Sequence, residues 1–481
     1  MKKNNLWNAN EVSSILDSKI YGSNEWVANN VSIDSRTVKK GDLFIALNGP
    51  NYDGYNFLKD AFENGAIASI VNKIPQSLKS QNFIKVNDTF KALNQLGIAG
   101  RERGEYHVIG ITGSVGKTTT KDFLSKILET LSTCHSSYEN NNNKFGVPLS
   151  LAKIPRNTNY VVQEIGMSYP GEISKLSELL KPNLSIITSI GTSHIANFKN
   201  INQIALAKSE IFYEMSKNAT VILPKNNTKY SILHNEAIKA GIKNVFSFGD
   251  DINNHAKLID ASFFKNHFIV KAEIFGEFIK FKLNGHLSHN IYNALSSILA
   301  SKLLGLEIKD CGEILQEITL KPGRGKVKRF YTKSGGQGTL IDDCYNSSLE
   351  SMSSSIMSLR NISNNRPVLI LGDILELGKH SSDKHESLIP LIVDSNPRVV
   401  ISIGKEMTNI LKKLKLDCQK FSFNNSLNAS SKILALINDN DYVLIKGSNG
   451  MKLKTIVKKL EANTPAKNQF KHNNEESHNV I

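Results

Sequence analysis

One stretch of this 481-residue chain narrows its possible folds more than any other, the segment "GITGSVGKTTTKD" from Gly110 to Asp122. Gly110, Gly113 and Gly116 space it as G-x-x-G-x-x-G-K-T, a variant of the usual GxxxxGK[ST] in which Ile111 takes the first glycine position. Glycines at this spacing let the backbone bend with its N–H groups turned inward, and such a nest holds phosphate oxygens. Lys117 can reach the outer phosphates and the Thr118 hydroxyl can bind Mg²⁺. The apolar run "YHVIGIT" precedes the loop, and Leu124, Ile127, Leu128 and Leu131 follow it at i, i+3, i+4 and i+7. Strand, phosphate loop and helix in that order predict an α/β nucleotide-binding unit.

Around this unit the chain divides into three, in line with the roughly 150 residues expected per domain. Residues 1–104 hold short apolar runs and turns, among them "GDLFIALNGPNYDGYNF", which predicts two strands. Residues 105–327 form the phosphate-loop unit, with further strands predicted at "YVVQEIG" (160–166) and "LSIITSIG" (184–191). Residues 328–463 repeat the theme in "PVLILGD", "RVVISIG" and "YVLIKGS", which predicts a second, Rossmann-like doubly wound sheet. The tail 464–481 lacks apolar periodicity and is expected to be disordered.

Composition excludes several classes. With 40% hydrophobic and 21% charged residues the chain reads as soluble and globular. It has no apolar run long enough to span a membrane and no signal peptide, so no membrane insertion and a cytoplasmic location are expected. Cys134, Cys311, Cys344 and Cys418 lie far apart and read as reduced thiols. The net charge of +15 is spread along the chain without an aromatic-studded stripe, so no nucleic-acid partner is expected. A basic surface also suits a polyanionic small substrate.

A phosphate loop leaves the reaction open. Taken singly, Glu164 could be a solvated strand end, His194 a loop residue and Lys208 the exposed face of a helix. As a set the motifs resemble the Mur ligases, which make peptide bonds on cell-wall precursors. The phosphate loop, Glu164 after the next strand, "GTSH" ending at His194, and "AKSEI" with Lys208 occur in the family's order. So do "NNNNKFGVPLSL" (140–151), "GHLSHNIYNAL" (285–295) and "PGRGK" (322–326). In the third unit "IDDCYNSSLESM" (341–352), "LGDILELGKHS" (371–381) and "LIKGSNGMKL" (444–453) resemble the branch that adds D-alanyl-D-alanine, as does "SIDSRTVKKGDLFIALNGPNYDGYNF" (32–57).

The resemblance implies a three-domain ligase binding ATP and Mg²⁺, with two ions, and joining D-alanyl-D-alanine to UDP-N-acetylmuramoyl-tripeptide with release of ADP. It assigns the nucleotide to Gly113, Ser114, Val115, Gly116, Lys117, Thr118, Thr119, His289, Asn290, Arg324 and Asp343. Metal falls to Thr118, Glu164, His194 and Lys208, the last as a carbamate formed with CO₂. Ser35 and Arg36 fall in the UDP-substrate segment, and Asn346, Lys446 and Ser448 on the dipeptide side. Catalysis is expected from Lys117, Lys208, Arg324 and His194, with a general-base role for His194 as the rival to metal binding. The chain is expected to act as a monomer. It departs from the branch in Ser-Ser-Leu after Asn346, where a small residue and Asn-Pro are usual, and in Ile-Ala-Asn after His194 in place of Leu-Glu. Alternatives on the same scaffold are the third-residue-adding enzyme and a folylpolyglutamate synthase. From another class stands a nucleic-acid-dependent ATPase.

Overall fold

The computed structural model describes residues 5–49, 53–138, 141–264, 266–360 and 366–463, so the tail expected to be disordered lies outside the described residues. The N-terminal unit is built on a five-stranded sheet in the order Lys19–Tyr21, Phe83–Lys85, Ala68–Val71, Asp42–Ile45, Asn30–Ser32. All neighbours are parallel except the first pair. Asp42–Ile45 and Ala68–Val71 are buried along their whole length, as expected of interior parallel strands. Among the described residues of "GPNYDGYNF" the second predicted strand does not form. Gly54–Phe57 is a 3-10 turn, because the Asp53 carboxylate accepts the Tyr55 N–H at 2.9 Å and starts a helical turn there.

The N-terminal and central units are clamped together. Helix Thr89–Glu102 lies against helix Gly146–Ala152 so closely that a Cβ on Gly100 would stand 2.3 Å from the Leu151 carbonyl oxygen. Leu93 and Leu96 share a core with Leu149 and Ala152, and the Trp7 indole N–H donates to the Ala152 carbonyl at 2.8 Å.

The central sheet has nine strands. Its parallel part runs Ala256–Phe264, Asn244–Gly249, Thr220–Pro224, Leu184–Ile187, His107–Thr112, Tyr160–Glu164, Cys134–Ser136. His267–Ile274 and Glu277–Asn284 extend it antiparallel, through a turn in which Phe275 and Gly276 both have positive φ. His107–Thr112 therefore lies between strands reached from either side of the chain reversal. The carboxyl ends of these three strands border the crevice where α/β sheets take ligands. Helix Lys117–Leu131 follows, with Leu124, Ile127 and Leu128 fully buried. Leu131, expected on the same face, is 41% exposed because the helix ends there and the chain turns extended at Ser132.

The C-terminal sheet runs Lys326–Tyr331, Gln337–Asp343, Tyr442–Lys446, Val368–Gly372, Val399–Ile403, Gln419–Phe423, and only its first strand is antiparallel. The three strands predicted from apolar runs closing on glycine are all present. This unit is docked on the central one. Ile187, Ile190 and Ile195 belong to one buried cluster with Met352, Leu371 and Leu377.

Candidate active site

The phosphate loop takes its shape from two residues. Gly113 has φ 149° and Gly116 φ 91°, and a Cβ on either would collide, at 2.0 Å from Thr188 Oγ1 and 2.3 Å from Asn293 Oδ1. The loop is braced from the next strand end. Ser114 N–H donates to the Ser189 carbonyl (2.8 Å), Val115 N–H to Ser189 Oγ (2.9 Å), and Gly191 N–H to Ser114 Oγ (2.8 Å). Two N–H groups that the sequence reading turned toward phosphate are thus committed to protein. What the loop presents is the open end of helix Lys117–Leu131, where Lys117, Thr118 and Thr119 N–H groups have no intrahelical acceptor. The positive end of the helix dipole lies there too.

Beneath that helix end is a buried charge cluster. Glu164 ends its strand 1% exposed, which sets aside its reading as a solvated strand end. Its Oε2 accepts the Thr118 hydroxyl at 2.6 Å and its Oε1 the Asn142 amide at 2.7 Å. Lys208, 2% exposed on helix Ile201–Ser209, is likewise no surface lysine. Burial, then repulsion from Lys117, hold its pKa well below the ordinary lysine value, against the opposing pull of Glu164. Lys117 is depressed by burial as well, and its Nζ donates to the Gly113 carbonyl at 2.7 Å.

The C-terminal unit completes a cavity of about 700 Å³. Ser114 to Thr119, Glu164, His194, Lys208 and His289 line it together with Arg324, Asp343, Asn346 and Lys446. Arg324 stacks on Tyr345, 4.2 Å from the ring centroid. Asp343 Oδ2 takes Lys446 Nζ at 2.6 Å and the Ser355 hydroxyl at 2.8 Å. Burial pushes the His289 pKa down to about 4, so its imidazole is neutral near pH 7, with Nδ1 3.1 Å from Ser354 Oγ. His194 has φ 62° and its Nδ1 lies 2.5 Å from Glu376 Oε2, a contact that lowers the Glu376 pKa through hydrogen bonding.

Five expected site residues do not line this cavity, Gly113 of the phosphate loop among them. Ser35 and Arg36 belong to the N-terminal unit, where Arg36 pairs with Asp34. Asn290 is 2% exposed and accepts the Asn293 amide at 3.0 Å, below the phosphate loop. Ser448 accepts the Leu375 N–H at 2.9 Å. Asn142, Tyr345 and Ser351 line the cavity without having been singled out. For Asn142 the signal was its place in the Asn-rich turn, and for Tyr345 and Ser351 their place in "IDDCYNSSLESM" (341–352). The departure after Asn346 has a structural reading. Ser348 sits just before helix Leu349–Arg360, and its Oγ accepts the Ser351 N–H at 3.3 Å, the capping work an asparagine does equally well.

Among the described residues no group of three or more His, Cys, Asp or Glu side chains is assembled for a metal. A Mg²⁺ that keeps several waters and phosphate oxygens needs only one or two carboxylates, and buried Glu164 beside the Thr118 hydroxyl meets that need.

Comparison with known proteins agrees across the chain. The Mur ligase family, catalytic domain, matches residues 27–103, the Mur ligase middle domain 111–301, and the Mur ligase glutamate ligase domain 328–449. The UDP-N-acetylmuramoyl-tripeptide–D-alanyl-D-alanine ligase of Rickettsia prowazekii is 34% identical, over 94% of this chain and 99% of the relative. The enzyme of the same name from Bacillus subtilis is 32% identical, over 90% and 93%. The crystal structure of MurF from Acinetobacter baumannii superposes with a TM-score of 0.83 at 26% identity, covering 95% of this chain and 99% of that one. With three matched domains in order and a phosphate loop, buried carboxylate and buried lysine in one crevice, the chain belongs to the Mur ligase family.

Proposed function

We infer that this chain is an ADP-forming ligase that joins D-alanyl-D-alanine to the terminal carboxyl of UDP-N-acetylmuramoyl-tripeptide, acting in the cytoplasm as a monomer and without nucleic acid. One observation carries the reading. A phosphate loop and the strand ends of a second α/β unit line a single cavity, so a triphosphate, an acid and an amine can meet there.

A carboxylate resists an incoming amine because its charge repels the nucleophile. In the first step a carboxylate oxygen of the tripeptide attacks the γ-phosphorus of ATP, the bond to the β–γ bridging oxygen breaks, and ADP leaves. Lys117 and Arg324 line the path of the transferring phosphoryl group and spread its charge, a task of positioning and electrostatics. The dipeptide amine then attacks the acyl phosphate carbonyl, and the tetrahedral intermediate expels inorganic phosphate as the amine loses a proton. Asp343, Asn346 and Lys446 present polar groups from the amine side, and Ser35 and Arg36 serve the UDP end. No side-chain nucleophile is required.

Thr118, Glu164 and His194 would hold Mg²⁺, which when bound neutralises phosphate charge. The depressed pKa of Lys208 supports its carbamylation. CO₂ adds only to a neutral amine, and the resulting carbamate places an anion beside Glu164 where an ammonium would oppose a cation. Docking of the C-terminal unit over the loop also suits a hydrolysable acyl phosphate.

The test is ADP release with UDP-muramoyl-tripeptide plus D-alanyl-D-alanine. Matched reactions offer single amino acids, glutamate with a folate, or nucleic acid instead. Turnover confined to the tripeptide and dipeptide is expected; ADP release that ignores both refutes the reading.

A further inference from the structure

Between the strand Leu184–Ile187 and the 3-10 turn Ile195–Asn197 runs a short segment that touches both halves of the site. On one side it holds the phosphate loop. Gly191 N–H donates to Ser114 Oγ at 2.8 Å, and Ser193 Oγ donates to the Ser114 carbonyl at 3.2 Å. On the other side the C-terminal unit grips it. Glu350, in the first turn of helix Leu349–Arg360, accepts the Thr192 N–H (2.7 Å) and hydroxyl (3.3 Å) on its two oxygens. Its carboxyl lies so close to Gly191 that a Cβ there would be 2.5 Å away. Glu376, from the loop after Val368–Gly372, faces His194 Nδ1 at 2.5 Å, and its carbonyl accepts the Ala196 N–H at 3.2 Å.

We propose that Glu350 and Glu376 are positioning residues that couple docking of the C-terminal unit to the setting of the phosphate loop and His194. The argument is one of connectivity. A carboxylate that accepts from a backbone N–H fixes peptide orientation, and Thr192 lies one residue from Gly191 and two from His194. His194 sits at φ 62°, where a non-glycine residue is held only by its surroundings, and those surroundings include the carbonyl and carboxylate of Glu376. When the C-terminal unit leaves, all four contacts go with it, so the segment loses its outer grip while Ser114 keeps the inner one. Ala196, itself exposed, lies beside Gly378, its Cβ 3.1 Å from where a Cβ of that glycine would stand.

The proposal rests on the ligase reading for the meaning of docking, and its test avoids turnover. Wild type, Glu350→Ala/Glu376→Ala and Glu350→Gln/Glu376→Gln are compared in two measurements. One is small-angle scattering with a non-hydrolysable ATP analogue and UDP-muramoyl-tripeptide; the other is Mn²⁺ affinity in the presence of the analogue, read by electron paramagnetic resonance. The alanine pair is expected to stay extended and to bind Mn²⁺ about tenfold more weakly, as losses of groups that orient metal ligands do. The glutamine pair keeps an acceptor at each place and is expected to recover most of both. Compaction and Mn²⁺ affinity at wild-type level in the alanine pair overturn the proposal. So does equal loss in the glutamine and alanine pairs, each with an unchanged melting temperature. Wild-type protein that binds and compacts yet never ligates would instead overturn the ligase reading and leave the coupling standing.

Discussion

Lys208 is buried to 2% with Lys117 and Glu164 as the charges that bear on it. Methionine has nearly the same length and no charge, so Lys208→Met removes the ammonium while keeping the packing. Glu164 is not stranded, because Thr118 and Asn142 still donate to its two oxygens and Lys117 still faces it. Removing one partner of a buried pair is costly only where it leaves the other charge uncompensated, and replacing whole buried ion pairs by apolar residues is often neutral or stabilising by about 1–4 kcal/mol. In a domain of this size each kcal/mol moves the midpoint by about 2–4 °C. The variant is therefore expected to melt no lower than wild type while losing most ligation.

The pH dependence gives the sign. Because the folded-state pKa of Lys208 lies below the unfolded value of about 10.4, the unfolded chain holds the extra proton between the two. Stability from this group therefore rises with pH through that window and falls as pH drops. Differential scanning calorimetry in CO₂-free buffer with a chelator, over a pH series, should show the gap between variant and wild type closing as pH approaches the unfolded value. A variant that melts lower at every pH, or that ligates at the wild-type rate, refutes the view of Lys208 as a destabilising group retained for function.

Gly113→Ala places a Cβ 2.0 Å from Thr188 Oγ1 at a φ of 149°, and strain with overpacking should cost about 2–5 kcal/mol locally. Calorimetric titration should then show nucleotide affinity lost by more than tenfold, roughly. Gly100→Ala drives a methyl into the Leu151 carbonyl at 2.3 Å, and unfolding should register a loss of about 1–3 kcal/mol at the joint between the first two units. An unchanged transition would mean that the helix pair is not the joint. Glu164→Gln keeps the shape but replaces charge-assisted hydrogen bonds by neutral ones, a loss of about 1 kcal/mol each. Mg²⁺-dependent nucleotide affinity should fall, with Mg²⁺-free binding little changed.

What could be read from the sequence was local in the chain. Gly110 to Asp122 carries its own strand, turn and helix, and the runs 368–372, 399–403 and 442–446 announce buried parallel strands by apolarity alone. Where a neighbour decides, the reading failed. Tyr55 follows a strand and looks strand-like, but one Asp53 side chain turns it into a 3-10 turn. The antiparallel strands His267–Ile274 and Glu277–Asn284 were not anticipated, since their pairing follows from the edge that Ala256–Phe264 offers.

The same distinction explains why Glu164 and Lys208 look ordinary alone. Composition offers a solvated carboxylate and a surface lysine at those positions; only the sheet order, with Tyr160–Glu164 beside His107–Thr112, brings the carboxylate under the helix that the loop begins. Once there, neither charge can be a matter of solubility. Burying a charge is costly without partners, and the partners found are Lys117 and Thr118 in the first turn of the helix after the loop and Asn142 in the Asn-rich turn. A fold that spends its stability on an ammonium and a carboxylate at the mouth of one helix does so where a ligand of high charge completes the set. The contacts of Glu350 and Glu376 across the chain, 158 residues from Thr192 in the first case, lie beyond any motif. Distance in sequence hid them, and only docking of the third unit brings them into reach of the loop.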